Sequence, residues 1–127
     1  MLRNIFSSTV YVRVTQNQFH VRNLEQMTDA TVAAQVPFTT ARLLIGQFLS
    51  AQQTLKRALN QVAKNGLLAT SPNVLIHPLE MFDGGLSEVE ERIFREVAIS
   101  AGASAVVVWV GQDLTDAEVK RKLETAA

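Results

Sequence analysis

The sequence predicts one α/β domain over residues 1–127, with a five-stranded mixed sheet and helices packed on it. Three observations predict this fold class. Apolar and polar residues alternate in the first third of the chain, apolar residues recur at helical spacing behind capping motifs in the rest, and two short apolar runs separate the helices. A length of 127 residues, 47% hydrophobic and 19% charged, suits one globular domain.

The first third of the chain predicts an antiparallel meander. Residues 9–14 and 30–36 alternate between apolar and polar side chains, and a second strand is predicted at residues 19–24. The polar residues 16–18 form the turn between the first two strands, and Pro37 ends the third because it lacks a backbone N–H. Short strands with short links pair with their neighbours along the chain.

Capping boxes predict where the helices begin. In each box a Ser or Thr is followed three residues later by Glu or Gln, and the two side chains bond each other's backbone amides. The boxes are Ser50–Gln53, Ser87–Glu90 and Thr115–Glu118.

Apolar stripes predict the buried helix faces. The stripe of the first helix is Leu55, Leu59 and Val62, and that of the second is Val89, Ile93, Val97 and Ala101. We expect Gly66 and Gly102 to end these helices in a left-handed conformation. The apolar runs 74–76 and 105–110 predict strands covered on both faces. Because a helix separates them, parallel pairing is predicted.

Composition excludes several function classes. Lys plus Arg and Asp plus Glu are both 12, so the chain lacks the cationic surplus of a general nucleic-acid binder. The absence of cysteine excludes a disulfide scaffold and a thiolate zinc site, and it fits a reducing compartment. With no secretory signal and no apolar run near the roughly 20 residues of a membrane span, we expect a cytoplasmic protein. Membrane contact through Leu2, Ile5 and Phe6 beside Arg3 is a minor alternative, since these residues bury too little surface to anchor alone.

One segment resembles a known family. Residues 85–92, Gly-Leu-Ser-Glu-Val-Glu-Glu-Arg, continue through Glu96 and Ala98 to Ala101-Gly102-Ala103. This pattern closely resembles the MreB family of bacterial actin-like proteins, where Gly-Ile-Thr-Glu-Val-Glu-Lys-Arg opens a helix that ends Ala-Gly-Ala before a hydrophobic strand. Residues 9–24 and 74–78 look like the family's first hairpin and the strand that precedes this helix. The resemblance implies an actin-like, ribonuclease-H-like fold, limited to the first subdomain of a longer protein.

The chain departs from that family where the family binds nucleotide. Its first hairpin carries Asp-x-Gly-Thr, which organises magnesium and approaches phosphate; the matching residues here are Arg13-Val14-Thr15-Gln16. An arginine cannot organise Mg²⁺, and threonine is unsuited to a turn with positive φ. The family's Glu-Glu-Pro, which supplies the acid that positions water, becomes Val110-Gly111-Gln112. We therefore expect no enzymatic activity, no cofactor and no metal in a degenerate subdomain that stands alone.

A protein-interaction role follows, with other functions kept as alternatives. The partner would be another protein, such as an actin-like polymer, or a second copy in a homodimer. The main alternative is a small anion- or nucleotide-binding module without hydrolysis, with Arg13, Thr15 and Gln16 as its anion site. A metal-dependent nuclease of this fold would need carboxylates on the first strand, and no acid precedes Glu25. His20 and His77 lie on different strands without evident convergent partners, so neither predicts a catalytic or metal site. Glu80 and Asp83 near His77 leave an acid–base role as an alternative, but a solvated loop beside the strand end is the favoured interpretation.

The last helix bears on the expected interface. A subdomain taken from a larger fold exposes an apolar surface unless something covers it. The polar C-terminal helix, with one apolar stripe, is the expected cover; otherwise a partner or second copy would cover this surface. The candidate interface residues are Trp109, Leu114, Val119 and Leu123.

Overall fold

The computed structural model describes residues 8–63, 71–81 and 83–126. Within these residues, five strands and three helices follow one another in the predicted order, β-β-β-α-β-α-β-α. The strands are β1 Thr9–Thr15, β2 Gln18–Asn23, β3 Thr28–Ala33, β4 Asn73–Pro78 and β5 Ala105–Val108. The helices are α1 Phe48–Val62, α2 Glu88–Ser100 and α3 Asp116–Ala126.

The strands form one mixed sheet in the order β3-β2-β1-β4-β5. β1, β2 and β3 pair antiparallel as the predicted meander, whereas β1, β4 and β5 pair parallel. Val12 marks the centre of the sheet, because it lies opposite Val21 on β2 and Ile76 on β4. The predicted five-stranded mixed sheet is confirmed.

Each face of the sheet supports its own apolar layer, since successive strand side chains point to opposite faces. On one face the strands pack with α1 and α2 in the larger core, which includes Val12, Phe19 and Ile76. On the other face, α3 covers Tyr11 and Leu75. Tyr11 and Arg13 therefore share the α3 face, while Val12 and Val14 enter the larger core.

The predicted capping box at Ser50 is wrong. α1 begins at Phe48, three residues before the start that Ser50 as N-cap predicts, and its N-cap Gln47 makes no side-chain cap hydrogen bond. The Ser50 hydroxyl instead donates to the carbonyl of Val36. Because this tertiary hydrogen bond uses the Ser50 hydroxyl, the hydroxyl does not cap the helix. The Gln47 backbone amide donates to the Phe38 carbonyl, 2.9 Å away.

The rest of the α1 prediction holds where the structure describes it. Leu55, Leu59 and Val62 are buried, as the stripe predicts. Gly66, predicted to end this helix, lies outside the described residues.

The capping box of α2 is confirmed, but its predicted stripe is partly wrong. The Glu90 amide donates to the Ser87 hydroxyl at 3.2 Å, and the Ser87 amide donates back to the Glu90 carboxylate at 3.1 Å. Val89 is 69% exposed, and the side chain buried in its place is Phe94. The larger aromatic ring sets the rotation of the helix, so the buried stripe runs Phe94, Val97, Ala98 and Ala101. Gly102 adopts a φ of 120° just after α2, as predicted.

Two predicted strands are shorter than expected. β3 ends at Ala33 rather than residue 36, and Val36 is exposed. β5 ends at Val108 rather than residue 110, and its residues are half-exposed. Both faces of β5 pack on apolar layers, Val106 and Val108 on the larger core and Val107 on the α3 side, but this cover is partial at the edge of the sheet.

The described helices include none that is both long and apolar enough to cross a bilayer. The proposed membrane-contact residues Leu2, Arg3, Ile5 and Phe6 lie outside the described part of the chain.

Candidate functional site

The carboxyl ends of the parallel strands β1, β4 and β5 lie together at one end of the sheet. Open α/β sheets bind ligands at this end. Arg13 and Thr15 lie at the end of β1, and His77 lies at the end of β4. The loop after β5 brings Gly111 and Asp113 to the same end of the sheet.

His77 is the central buried polar group at this end of the sheet. Its side chain is 1% exposed, and its Nε2 lies 2.9 Å from the Gly111 carbonyl oxygen. Because a carbonyl only accepts, the hydrogen bonds assign the proton to Nε2 and leave Nδ1 as the acceptor from the Tyr11 hydroxyl at 2.7 Å. The Tyr11 oxygen accepts in turn from the Leu114 amide at 3.3 Å. Burial lowers the pKa of His77, partly offset by the hydrogen bond to Gly111, so the neutral ring ties this loop to β1 and β4.

Arg13 is held between an aromatic ring and a carboxylate. Its guanidinium carbon lies 4.3 Å from the centroid of the Tyr11 ring, a cation–π contact. Its Nε lies 3.4 Å from an Asp113 carboxylate oxygen. This buried Nε makes no hydrogen bond of good geometry with the described residues. Asp113 therefore already occupies the position that an anion would take beside Arg13.

The hairpin turn offers its backbone amides to the chain's own groups. The Gln16 amide donates to the Glu80 carboxylate at 3.2 Å, and the Asn17 amide donates to the Thr39 hydroxyl at 2.9 Å. Asn17 supplies the positive φ of 58°, so Thr15 remains in the strand. The predicted anion residues Arg13, Thr15 and Gln16 do come to one end of the sheet, but Asp113 and Glu80 already engage Arg13 and Gln16.

An ion-pair cluster on the α3 face had no signal in the sequence. Arg22 donates to both carboxylate oxygens of Asp116, at 3.1 and 3.0 Å, and to Asp29 at 2.6 Å. The hydrogen bond from Arg22 lowers the pKa of Asp116 and ties the first turn of α3 to β2. His20 joins the cluster through Thr31 and Asp29, away from His77. Arg22 and Asp116 of this cluster are 94 residues apart in sequence, so only the fold reveals the contact.

Among the described residues, no three His, Asp or Glu side chains come close enough together to hold a metal ion.

Three of the four candidate interface residues are internal. Leu114, Val119 and Leu123 are buried against Tyr11, Leu24 and Leu75. They form the intramolecular cover that was one of the two expectations, and they are not open to a partner.

Trp109 differs from them, because it stays half-exposed beside an open groove. Its indole N–H donates to the Gln112 carbonyl at 2.9 Å, and the Lys122 ammonium lies 3.9 Å from its ring centroid. The groove has a volume of about 370 Å³. We name it the Trp109 groove; its lining residues are Val107, Trp109, Arg121, Lys122, Thr125 and Ala126.

The fold and these contacts define an α/β domain with closed strand ends and an open groove at one sheet edge. No family model matches the chain. The chain is 35% identical over 99 residues to the uncharacterized protein YjaA of Escherichia coli K12. The matched region covers 74% of this chain and 76% of that protein. The chain belongs to the family of YjaA.

Proposed function

We propose that this chain is a non-enzymatic protein-interaction domain of the cytoplasm, with an actin-like fold, that docks a partner at the Trp109 groove. The sheet order β3-β2-β1-β4-β5, with α1 and α2 as the connections between parallel strands, supports the actin-like and ribonuclease-H-like assignment. The resemblance of residues 85–103 to the MreB family supports a relationship to the bacterial cell-shape proteins.

The observation that carries the proposal is the partial exposure of Trp109 within an apolar groove. Tryptophan combines a large apolar area with one polar handle, and it is the residue type most enriched at interface hot spots. On that face α3 covers Tyr11 and Leu75, and the groove is a stretch of the same apolar layer that stays open beside the helix. A partner side chain entering it would contact Val107 and Trp109 below two cations.

The contacts at the strand ends argue against nucleotide chemistry. Glu80 holds the Gln16 amide and Asp113 holds Arg13, so a triphosphate would have to displace two carboxylates. Phosphoryl transfer depends on positioned cations and free donors around the phosphate. This end of the sheet therefore suits a structural role better.

Capture from an extract of the organism's own cells tests the docking site. The tagged full chain is compared with Trp109→Ala, with Lys122→Glu, and with Val89→Ala, which changes an exposed apolar residue on α2. We expect a partner retained by the unmodified chain and Val89→Ala to be reduced at least about tenfold by each groove variant, an effect typical of an interface hot spot. Equal retention by all four chains would contradict the proposal.

A second candidate, the anion-binding module without hydrolysis, is favoured by one observation: the buried Nε of Arg13 lacks a well-aligned hydrogen bond. Calorimetry with Mg-ATP and with inorganic phosphate separates the two functions. The docking proposal predicts no binding heat. Micromolar binding that Arg13→Ala abolishes would favour the anion module instead.

A further inference from the structure

We infer that the partner docks by adding an extended, acidic strand to the open edge of β5. This inference rests on the proposed docking function and names the chemistry of the partner. Among the strands that the structure describes, β5 is the last of the sheet, and none of them pairs with its outer side. A strand edge of this kind pairs readily with an extended segment of another chain.

The register shows which backbone groups face that open side. The Trp109 amide donates to the Ile76 carbonyl at 2.9 Å, while Val108 lies opposite Ile76. In a parallel pair, alternate residues bond the same neighbour, so Val107 and Trp109 bond β4. Val106 and Val108 therefore direct their N–H and C=O groups toward the open edge.

Arg95 confirms this orientation and partly guards the edge. Its guanidinium donates to the Val106 carbonyl at 2.8 Å and is held by Glu91 at 3.0 Å. Both contacts are exposed, so the side chain can move aside when a strand arrives. A cation placed over an edge carbonyl is a common protection against unwanted pairing.

The Trp109 groove gives the added strand its side-chain preference. Side chains of the new strand that point to the α3 face would lie beside Val107 and Trp109, in the groove rimmed by Arg121 and Lys122. The described residues that line the groove include two cations and no acid. Charge complementarity therefore favours glutamate or aspartate at alternate positions of the partner strand.

The same charges disfavour a second copy as the occupant. Two β5 strands paired antiparallel about a two-fold axis would continue one sheet and place both α3 helices on the same face. Arg121 and Lys122 of one protomer would then approach those of its partner. Like charges across an interface oppose association, so the acidic strand is the better occupant.

Two capped peptides test the inference. The acidic probe is acetyl-Thr-Glu-Val-Glu-Val-Glu-Thr-amide, and its control carries lysine in place of each glutamate. Binding to the full chain is followed by the fluorescence of Trp109, its single tryptophan, and by NMR hydrogen exchange of the Val106 and Val108 amides. We expect the acidic peptide to bind at least tenfold more tightly and to slow exchange of both amides at least tenfold. Arg121→Glu with Lys122→Glu should reverse the preference.

Each other outcome overturns a defined part. Acidic-peptide binding without protection of Val106 and Val108 overturns strand addition and leaves groove docking intact. Failure of the acidic peptide to bind, or equal binding of both peptides, overturns the acidic strand. Capture with the Trp109→Ala variant and its Val89→Ala control still tests docking on its own. A dimer in sedimentation velocity that Trp109→Ala dissociates would identify a second copy as the occupant and overturn the acidic partner.

Discussion

Removal of one hydroxyl tests how the loop after β5 is held against the sheet. In Tyr11→Phe the ring remains, but the oxygen that links His77 to the Leu114 amide is lost. The two bonds differ in length, 2.7 Å to Nδ1 of His77 and 3.3 Å from Leu114, so the first carries most of the effect. The substitution leaves a buried imidazole nitrogen without its donor.

The expected loss follows from that unsatisfied nitrogen. A buried polar atom left without its partner costs about 1–3 kcal/mol, and the longer amide bond adds a smaller amount. We expect the free energy of unfolding to fall by about 2–3 kcal/mol. For a chain of this size, each kcal/mol lowers Tm by about 3–5 °C, so the expected shift is about 6–15 °C.

Urea unfolding at pH 7.5 is the assay, with circular dichroism as the signal. The control is Thr15→Val, which removes a partly exposed hydroxyl on the same strand and should change the free energy by less than about 0.5 kcal/mol. A loss below about 0.5 kcal/mol in Tyr11→Phe, with an unchanged denaturant slope, would refute the assigned network.

Three further predictions concern His77, Ser87 and Gly111. Burial lowers the pKa of His77 in the folded chain, so the unfolded chain binds the proton more readily. The free energy of unfolding should therefore fall as pH drops below about 6.5, by at most about 1.4 kcal/mol per pH unit. Urea midpoints between pH 5 and 8 measure this. Ser87→Ala should lower the free energy of unfolding by about 1 kcal/mol, because it removes the cap of α2. In Gly111→Ala the new Cβ would lie 2.7 Å from Cζ2 of Trp109, so the ring must move and its fluorescence should shift.

Controls make each of these results decisive. His77→Gln should flatten the dependence on pH above 5; an unchanged dependence would assign the effect elsewhere. A loss below about 0.3 kcal/mol in Ser87→Ala would contradict the cap, whose usual contribution is larger. Gly84→Ala strains a backbone with φ of 78° but meets no atom within 4 Å, so its Trp109 fluorescence should stay unchanged. Equal shifts in both glycine variants would contradict the clash with Trp109.

The order of elements could be predicted from sequence because period and capping are local properties. The boxes at Ser87 and Thr115 formed, as the paired hydrogen bonds in each show. The box at Ser50 did not form because the Ser50 hydroxyl donates to the carbonyl of Val36, 14 residues earlier in the sequence. In the α2 stripe Val97 and Ala101 are buried as predicted, but Val89 is exposed, because spacing alone did not weigh valine against the larger Phe94.

The candidate site was harder to predict because its partners are distant along the chain. Tyr11 and His77 are 66 residues apart, and nothing near either residue signals the contact. The apolar stripe of α3 was visible in the sequence. Whether it packed within the chain or against a partner depended on where the helix folded back, which the ion pair between Arg22 and Asp116 helps to fix.

Amide-resolved NMR mapping of the captured partner on the isotope-labelled full chain tests the central claim most directly. We predict shift changes concentrated at residues 105–109 and 121–126, with the amides of residues 13–17 unchanged. Changes confined to residues 13–17 and Glu80, or a map that avoids the Trp109 groove, would contradict the assignment of this groove as the docking surface.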